Sequence, residues 1–170
     1  MCIRDSRRDR AGIRIAIVDS GTKVGHEDLA ANCLAGWDLL DGDPDPSPVP
    51  QGDVYDTERK HGTWTAGTAA AARNAVGGVG VAYGASIIPI RLIDDGVTSP
   101  MIADALAWAL PGHQPSGAPT TEPDVNSDSW GPADDGIDDG PTDEGPSALE
   151  LAALDAATTC LLYTSPSPRD

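Results

Sequence analysis

Short runs of apolar residues alternate along the chain with stretches of helical spacing. Residues 13–18 form a β-branched run, and residues 87–93 are almost continuously apolar, so both runs are typical of buried strands. Shorter extended segments are expected at residues 37–40, 79–82 and 124–130.

Three other stretches predict helices. Residues 61–72 are rich in alanine, residues 102–110 repeat apolar side chains at helical spacing, and residues 146–157 show the same spacing. Because strands and helices alternate without internal repeats, we expect an α/β fold with a mostly parallel sheet that is covered by helices.

A carboxylate and a histidine stand at the ends of two of these elements. Asp19 follows the first strand, and the carboxyl edge of an α/β sheet is where sites lie. His61 is expected at the start of a helix, where the dipole would keep the imidazole neutral and able to accept a proton, and Gly62 and Gly67 leave room for a close approach. Asp19 could instead cap a turn, and His61 could be structural.

Oxygen-rich loops follow two of the elements. Asp38, Asp43 and Asp45 lie in a proline-rich loop, which is either a solvated loop or a site for a hard cation such as calcium. The loop at residues 73–78 offers an amide oxygen and several carbonyls.

Composition limits the class of partner. The 170 residues, 39% of them hydrophobic, suffice for one domain or part of one. Lys and Arg total 11 against 27 Asp and Glu, a formal net charge of −16, which disfavours nucleic acid and anionic membranes and favours metal ions or basic peptides. No apolar run reaches the length of a membrane span, and the start of the chain does not resemble a signal peptide.

Both ends of the chain are expected to be foreign to the protein. Residues 1–6 and 161–170 resemble translated sequencing-adapter sequence, which leaves residues 7–160 as the expected domain. Cys2 would then be foreign to the protein, and the count and spacing of the three cysteines support neither a disulfide framework nor a zinc site.

Several separated motifs resemble the subtilisin-like serine proteases, and in particular their kexin and furin branch. In chain order the motifs are Asp19-Ser20-Gly21, Asp28-Leu29, Asp43-Pro44-Asp45-Pro46, His61-Gly62-Thr63 with Ala66-Gly67, Gly78-Val79-Gly80-Val81-Ala82-Tyr83 and Ser129-Trp130-Gly131-Pro132. The resemblance covers residues 12–157. It implies a subtilisin-like three-layer α/β fold with a mostly parallel sheet, of which the chain holds the N-terminal part of the catalytic domain.

The resemblance implies roles for the residues of the cleft. Asp19 corresponds to the triad carboxylate and His61 to the general base. The family's nucleophilic serine and oxyanion asparagine come later in the sequence, so both are expected outside this chain. Ser129, Trp130 and Gly131 correspond to a segment that pairs with the substrate like an added strand.

The resemblance also implies calcium as a cofactor. The family's tight site corresponds to two side chains and three carbonyls, those of Asp28, Asn74, Ala71, Val76 and Gly78. A further cation site corresponds to Asp38, Asp43 and Asp45. Asp134 corresponds to a third site beside the specificity pocket.

The expected substrate is a peptide or protein with a basic residue at the cleavage point. Four acidic residues near the expected cleft favour it: Glu58, Asp94, Asp134 and Asp135. Ser20 and Thr65 replace an acidic residue and a cysteine that convertases often carry, which argues against strict dibasic specificity.

The expected function is that of a fragment of a calcium-dependent serine endopeptidase, located outside the cell or in its envelope. The alternative is a cation-binding pseudoenzyme or interaction domain on the same fold. A nucleophile segment in the extended reading frame would distinguish the two.

Overall fold

A parallel sheet of four strands organises the described part of the chain. The computed structural model describes residues 12–49, 57–108, 110, 112–131 and 146–160, and only the backbone of residues 57–59, 159 and 160. The strands are β1 (Arg14–Asp19), β2 (Trp37–Asp38), β3 (Ser86–Arg91) and β4 (Val125–Asp128); the helices are α1 (Thr57–Ala70), α2 (Ser99–Leu106) and α3 (Ala148–Cys160). The strand order is β2-β3-β1-β4, with every pair parallel. The predicted α/β architecture is confirmed.

Helices cover both faces of this sheet. On one face, side chains of β1 and β3 pack with the α2 region in a cluster that includes Ala16, Val18, Ile88, Ile90, Ala105 and Trp108. On the other face they pack with α1 in a cluster that includes Ile17, Ile87, Ala66 and Ala70. Because both faces are buried, these strands are apolar at consecutive positions, which is the pattern of parallel sheets in layered α/β folds.

The extended segment predicted at residues 79–82 is not a strand. The amides of residues 80–82 donate hydrogen bonds of 2.8–3.1 Å to the carbonyls of Thr68, Ala69 and Ala71. Carbonyls at a helix C-terminus lack partners inside the helix. The segment therefore satisfies the end of α1, and its amides are not available to a sheet.

The helices differ from the predicted ranges at their ends. α1 begins at Thr57, so His61 lies in its second turn and the predicted position at the helix N-terminus is wrong.

α3 begins with a capping box, in which the amide of Ser147 donates to Glu150 Oε2 at 2.8 Å and the amide of Glu150 donates to Ser147 Oγ at 3.3 Å. No helix in the described ranges is both long and apolar enough to cross a membrane.

Candidate active site

Asp19 ends β1 at the carboxyl edge of the sheet, where it is 2% exposed. Its Oδ1 accepts the Ser20 amide at 2.7 Å, and its Oδ2 lies 3.4 Å from the Thr65 hydroxyl. Its backbone carbonyl accepts the amides of Leu92 and Ile93, which follow β3. A buried carboxylate needs such donors, because it has lost the hydrogen bonds of water. Both the main chain and the side chain of Asp19 are therefore held in place.

His61 contacts this carboxylate through one ring nitrogen. Its Nδ1 lies 2.8 Å from Asp19 Oδ1 and 2.9 Å from Oδ2. The imidazole side chain is 47% exposed, and no hydrogen bond within the described ranges involves Nε2. The arrangement fixes the orientation of the ring and leaves one nitrogen open to a ligand.

Gly62 allows α1 to approach the end of β1 closely enough for this contact. A Cβ atom on Gly62 would lie 2.9 Å from the Cβ of Asp19 and would also collide with the carbonyl oxygen of Gly21. The Gly62 amide donates to Ser20 Oγ at 3.2 Å, which joins the helix to the segment after β1. Because the influence of the helix dipole is concentrated in the first turn, the carboxylate rather than the helix end sets the environment of His61.

Comparison with known proteins places this pair in a family context. Residues 10–162 match the family model described as the subtilase family, Peptidase S8. The chain belongs to the subtilase family. This is a family of serine-type endopeptidases, so the predicted family and enzyme class are confirmed.

Curated relatives of this subtilase chain include convertases. It is 42% identical to Furin-like protease 2 of Drosophila melanogaster, 39% to Furin of Homo sapiens and 37% to Neuroendocrine convertase 2 of Bos taurus, in each case over 84% of the chain. The matched part is 8%, 16% and 20% of these relatives, so the chain spans a fifth of their length or less.

Solved subtilase structures share the fold. A protease from Pseudoalteromonas arctica PAMC 21717 matches with a TM-score of 0.71 and 29% identity, over 89% of this chain and 48% of that one. A serine protease of Aeromonas sobria matches with a TM-score of 0.66 and 26% identity, over 89% of this chain and 23% of that one. These matches confirm the predicted subtilisin-like fold, of which the chain covers a part.

The segment predicted to bind substrate lies at the same edge of the sheet as Asp19. Ser129 and Gly131 are exposed and follow β4, whose last residue is opposite Val18 in the register. Trp130 is half-buried against the core, and its Nε1 donates to the Val18 carbonyl at 3.0 Å. The segment is thus tied to β1, one residue before the candidate triad carboxylate.

The residues of the predicted tight calcium site lie around the loop after α1. The amide of Gly78 donates to Asp28 Oδ2, and the amide of Val76 donates to Asn74 Oδ1, both at 3.0 Å. Asp28 Oδ1 is buried and has no hydrogen-bond partner within the described residues. The Ala71 carbonyl accepts the Gly80 amide at 3.0 Å, which uses one of its two lone pairs. In the ranges that the structure describes, no three His, Cys, Asp or Glu side chains form a group that could hold a metal.

The carboxylates of the second predicted cation site have other partners. Asp38 is buried and forms an ion pair with Arg91, which also contacts Asp41 at 3.0 Å. Asp43 Oδ1 accepts the Asp45 amide at 2.8 Å. Hydrogen bonds from the side chain and amide of Ser47 hold the pKa of Asp45 below its usual range. The Asp38 amide donates to the Asp43 carbonyl at 2.8 Å, but among the described residues Asp38, Asp43 and Asp45 do not form a group that could hold a metal.

Of the four acidic residues predicted near the cleft, Asp94 is the one whose side chain the structure describes. Its Oδ2 accepts a hydrogen bond of 2.8 Å from Arg91, and its side chain is 15% exposed. Burial disfavours the Arg91 cation, but the hydrogen bonds that the guanidinium donates to Asp94, Asp38 and Asp41 more than offset this and raise its pKa above the usual range. The side chain of Glu58 lies outside the described residues, as do Asp134 and Asp135.

Two residues of this site were missed by the sequence reasoning. Arg91 is the charged exception in an apolar run, and this was a signal that it would need buried carboxylates. Thr65, noted only as a departure from convertases, has its hydroxyl between Asp19 Oδ2 and the His61 carbonyl, which is 3.1 Å away. Its position one helical turn after His61 is the pattern that could have indicated it.

Proposed function

We propose that the complete protein is a serine endopeptidase in which Asp19 and His61 are two members of the catalytic triad. The observation that carries this proposal is the contact of both Asp19 oxygens with His61 Nδ1, while Nε2 forms no hydrogen bond with the described residues. A buried carboxylate at Nδ1 favours the tautomer with its proton on that nitrogen. The lone pair of Nε2 is then available to a nucleophile.

In this mechanism His61 transfers one proton twice. Nε2 takes the proton of a serine hydroxyl as the oxygen attacks the peptide carbonyl, and the resulting imidazolium donates it to the leaving amine. Asp19 remains ionised and stabilises the imidazolium, while Thr65 and the Ser20 amide hold Asp19 in position. We assign the nucleophilic serine and the oxyanion asparagine to sequence outside residues 1–170, and Ser129 to substrate binding.

Calcium is part of the proposal at the Asp28 site. Asp28 Oδ1 is buried and has no donor in the part of the chain that the structure describes, and it fits a cation because a carboxylate oxygen without a donor is costly unless a positive charge meets it. Asp28 and Asn74 would supply side-chain oxygens, with Ala71, Val76 and Gly78 supplying carbonyls. When bound, the ion would offset the Asp28 charge and join the segment after β1 to the loop after α1.

The second predicted cation site fits less well. Arg91 already supplies a positive charge to Asp38, so a metal ion there would lie close to a guanidinium. Calcium binding by Asp38, Asp43 and Asp45 stays a prediction, as does a site at Asp134.

We further propose a substrate with a basic side chain before the cleaved bond, in a protein that acts outside the cell or in its envelope. The chain has 27 acidic and only 11 basic residues, which supports a positively charged side chain in the substrate. The similarity to relatives named furin supports it as well. Asp94 is paired with Arg91. Of the acidic residues predicted near the cleft, this leaves three to provide specific contacts with the substrate: Glu58, Asp134 and Asp135.

The test of this function is a peptidase assay on the product of the full reading frame. With a fluorogenic Lys-Arg peptide, we expect hydrolysis that falls by roughly 10⁴-fold or more in His61→Ala and Asp19→Asn. His113→Ala is the matched control, because His113 is exposed and distant in sequence from the pair. The 170-residue chain alone should show no turnover above its own His61→Ala variant.

The same assay separates the enzyme from the alternative. A complete protein that folds and binds calcium but hydrolyses no peptide would contradict the peptidase proposal and favour a cation-binding interaction domain.

A further inference from the structure

Trp64 differs from the other tryptophans of the chain in its exposure. Trp37 and Trp108 are buried and Trp130 is half-buried, whereas Trp64 is 57% exposed. No hydrogen bond within the described ranges involves its side chain. A large aromatic surface left in water forgoes hydrophobic free energy, and exposed tryptophans are enriched where proteins bind other molecules.

Helix geometry places Trp64 next to the candidate base. Trp64 follows His61 by three residues within α1, and residues at this spacing are neighbours on a helix surface, with Cβ atoms about 5–6 Å apart. Both side chains are substantially exposed, at 57% for Trp64 and 47% for His61. A ligand that reaches the open nitrogen of His61 therefore also reaches the region of the indole.

The proposed mechanism decides which part of a substrate this is. Nε2 of His61 protonates the leaving amine, so the residue after the cleaved bond must lie against His61. The residues before the bond pair with the segment 129–131, which follows β4. α1 packs on β1 and β3, and β3 lies on the opposite side of β1 from β4. Trp64 is therefore on the leaving-group side of the cleft.

We infer that Trp64 is a specificity-determining residue that contacts an apolar or aromatic side chain among the first two residues after the cleaved bond. This inference rests on the proposed peptidase function. An indole offers a flat, uncharged surface whose attraction grows with the apolar area that it covers. Selection after the bond would thus depend on apolar area, although selection before it depends on charge.

Partitioning of the acyl-enzyme tests this side of the cleft alone. The complete enzyme is acylated with one basic ester, and Leu-amide, Phe-amide, Arg-amide or Gly-amide then competes with water. The ratio of aminolysis to hydrolysis reports binding after the bond, since the acyl part is the same in every reaction. We expect Phe-amide and Leu-amide to exceed Gly-amide by roughly tenfold, and this preference to fall to about twofold or less in Trp64→Ala.

Two variants control the result. Trp64→Phe should retain most of the preference, because it keeps an aromatic surface. Val79→Ala should leave the preference as in the parent enzyme, since Val79 is also 57% exposed but lies in the loop after α1. A preference that persists in Trp64→Ala would overturn the inference while the peptidase function stands, and so would a loss confined to Arg-amide. A complete protein that hydrolyses neither ester nor peptide would overturn both.

Discussion

The three histidines of the chain differ in what their ring nitrogens contact. Nδ1 of His61 faces the Asp19 carboxylate, which can only accept, so this nitrogen must carry the proton. Nδ1 of His26 instead accepts the Asp28 amide at 3.2 Å, which requires the proton on Nε2. His113 is exposed. His61 and His26 therefore have opposite tautomers, because a carboxylate faces Nδ1 of His61 and an amide donates to Nδ1 of His26.

We predict that nitrogen NMR shows these tautomers directly. In ¹⁵N-labelled protein at a pH where the rings are neutral, His61 should give a protonated Nδ1 signal, and His26 a protonated Nε2 signal. Asp19→Ala should shift His61 towards the Nε2–H form that predominates in free imidazole side chains, because the acceptor at Nδ1 is gone. His26 is the internal control and should not change. A His61 with its proton on Nε2 in the parent chain would contradict the proposed base.

At the scale of elements, the site depends on how closely α1 meets the end of β1. Two glycines of this helix have different surroundings. A side chain on Gly62 would meet Asp19 and Gly21, whereas a Cβ on Gly67 would meet nothing within 4 Å. Gly62 is therefore required by packing, while Gly67 only lowers the helix propensity.

The two glycines give a matched pair of substitutions. Gly67→Ala should raise the free energy of unfolding by roughly 0.5–1 kcal/mol, because alanine restricts the unfolded chain and favours the helix. Gly62→Ala should lower it by roughly 1–3 kcal/mol, because the helix must move away from β1. Urea denaturation of both variants measures the difference. Equal effects in the two variants would show that α1 is not packed against β1 as described.

A second junction between elements is the loop after α1, which meets Asp28. The Asp28 carbonyl accepts the Ala72 amide at 2.7 Å, and its carboxylate accepts the Gly78 amide. A Cβ on Gly77, which has a φ of 54°, would collide with this carboxylate. The loop thus closes tightly around Asp28 Oδ1, which accepts no hydrogen bond from any residue that the structure describes.

We predict that calcium raises the melting temperature of the chain through this junction. A ligand that binds only the folded state stabilises it by about 2.7 kcal/mol at 100 times its dissociation constant. Asp28→Ala should lose most of the response in differential scanning calorimetry. Asp43→Ala is the matched control and should keep it. The reverse result would move the tight site to the loop after β2.

At the scale of the whole molecule, the predictable parts were those with a local pattern. The apolar runs of β1 and β3 identified the centre of the sheet, and a carboxylate directly after such a run had to lie at the carboxyl edge. The partners of Arg91 could not be predicted, because Asp38 at the end of β2 and Asp41 and Asp94 in two separate loops meet it only in the folded chain. The prediction of a strand at residues 79–82 was wrong for a related reason. Carbonyls at the end of α1 accept the hydrogen bonds of the amides that a strand would use.

The net charge of −16 yields the last prediction, which concerns the preference for basic substrates that we propose for the complete enzyme. Long-range attraction by many acidic residues weakens once charges are separated by more than a Debye length, about 10 Å at 0.1 M salt, whereas a contact with a specific carboxylate is screened much less. We therefore expect kcat/KM for Arg-Arg, Ala-Arg and Ala-Leu peptides to decrease in that order. The advantage of Arg-Arg over Ala-Arg should shrink as salt rises, and that of Ala-Arg over Ala-Leu should persist.

Two substitutions separate contact from general attraction in this series. Asp94→Asn should change the ratio of Arg-Arg to Ala-Leu by less than about twofold, because Arg91 already offsets the Asp94 charge. Asp104→Asn, at an exposed position of α2, is the matched control for the loss of one charge. If Asp94→Asn removes the preference for Arg-Arg, then Asp94 contacts the substrate in spite of its ion pair with Arg91. If the parent enzyme cleaves Ala-Leu with the same efficiency as Arg-Arg, the proposed preference for basic substrates is wrong. The net charge of −16 would then attract cations, but no specific carboxylate in the cleft would select them.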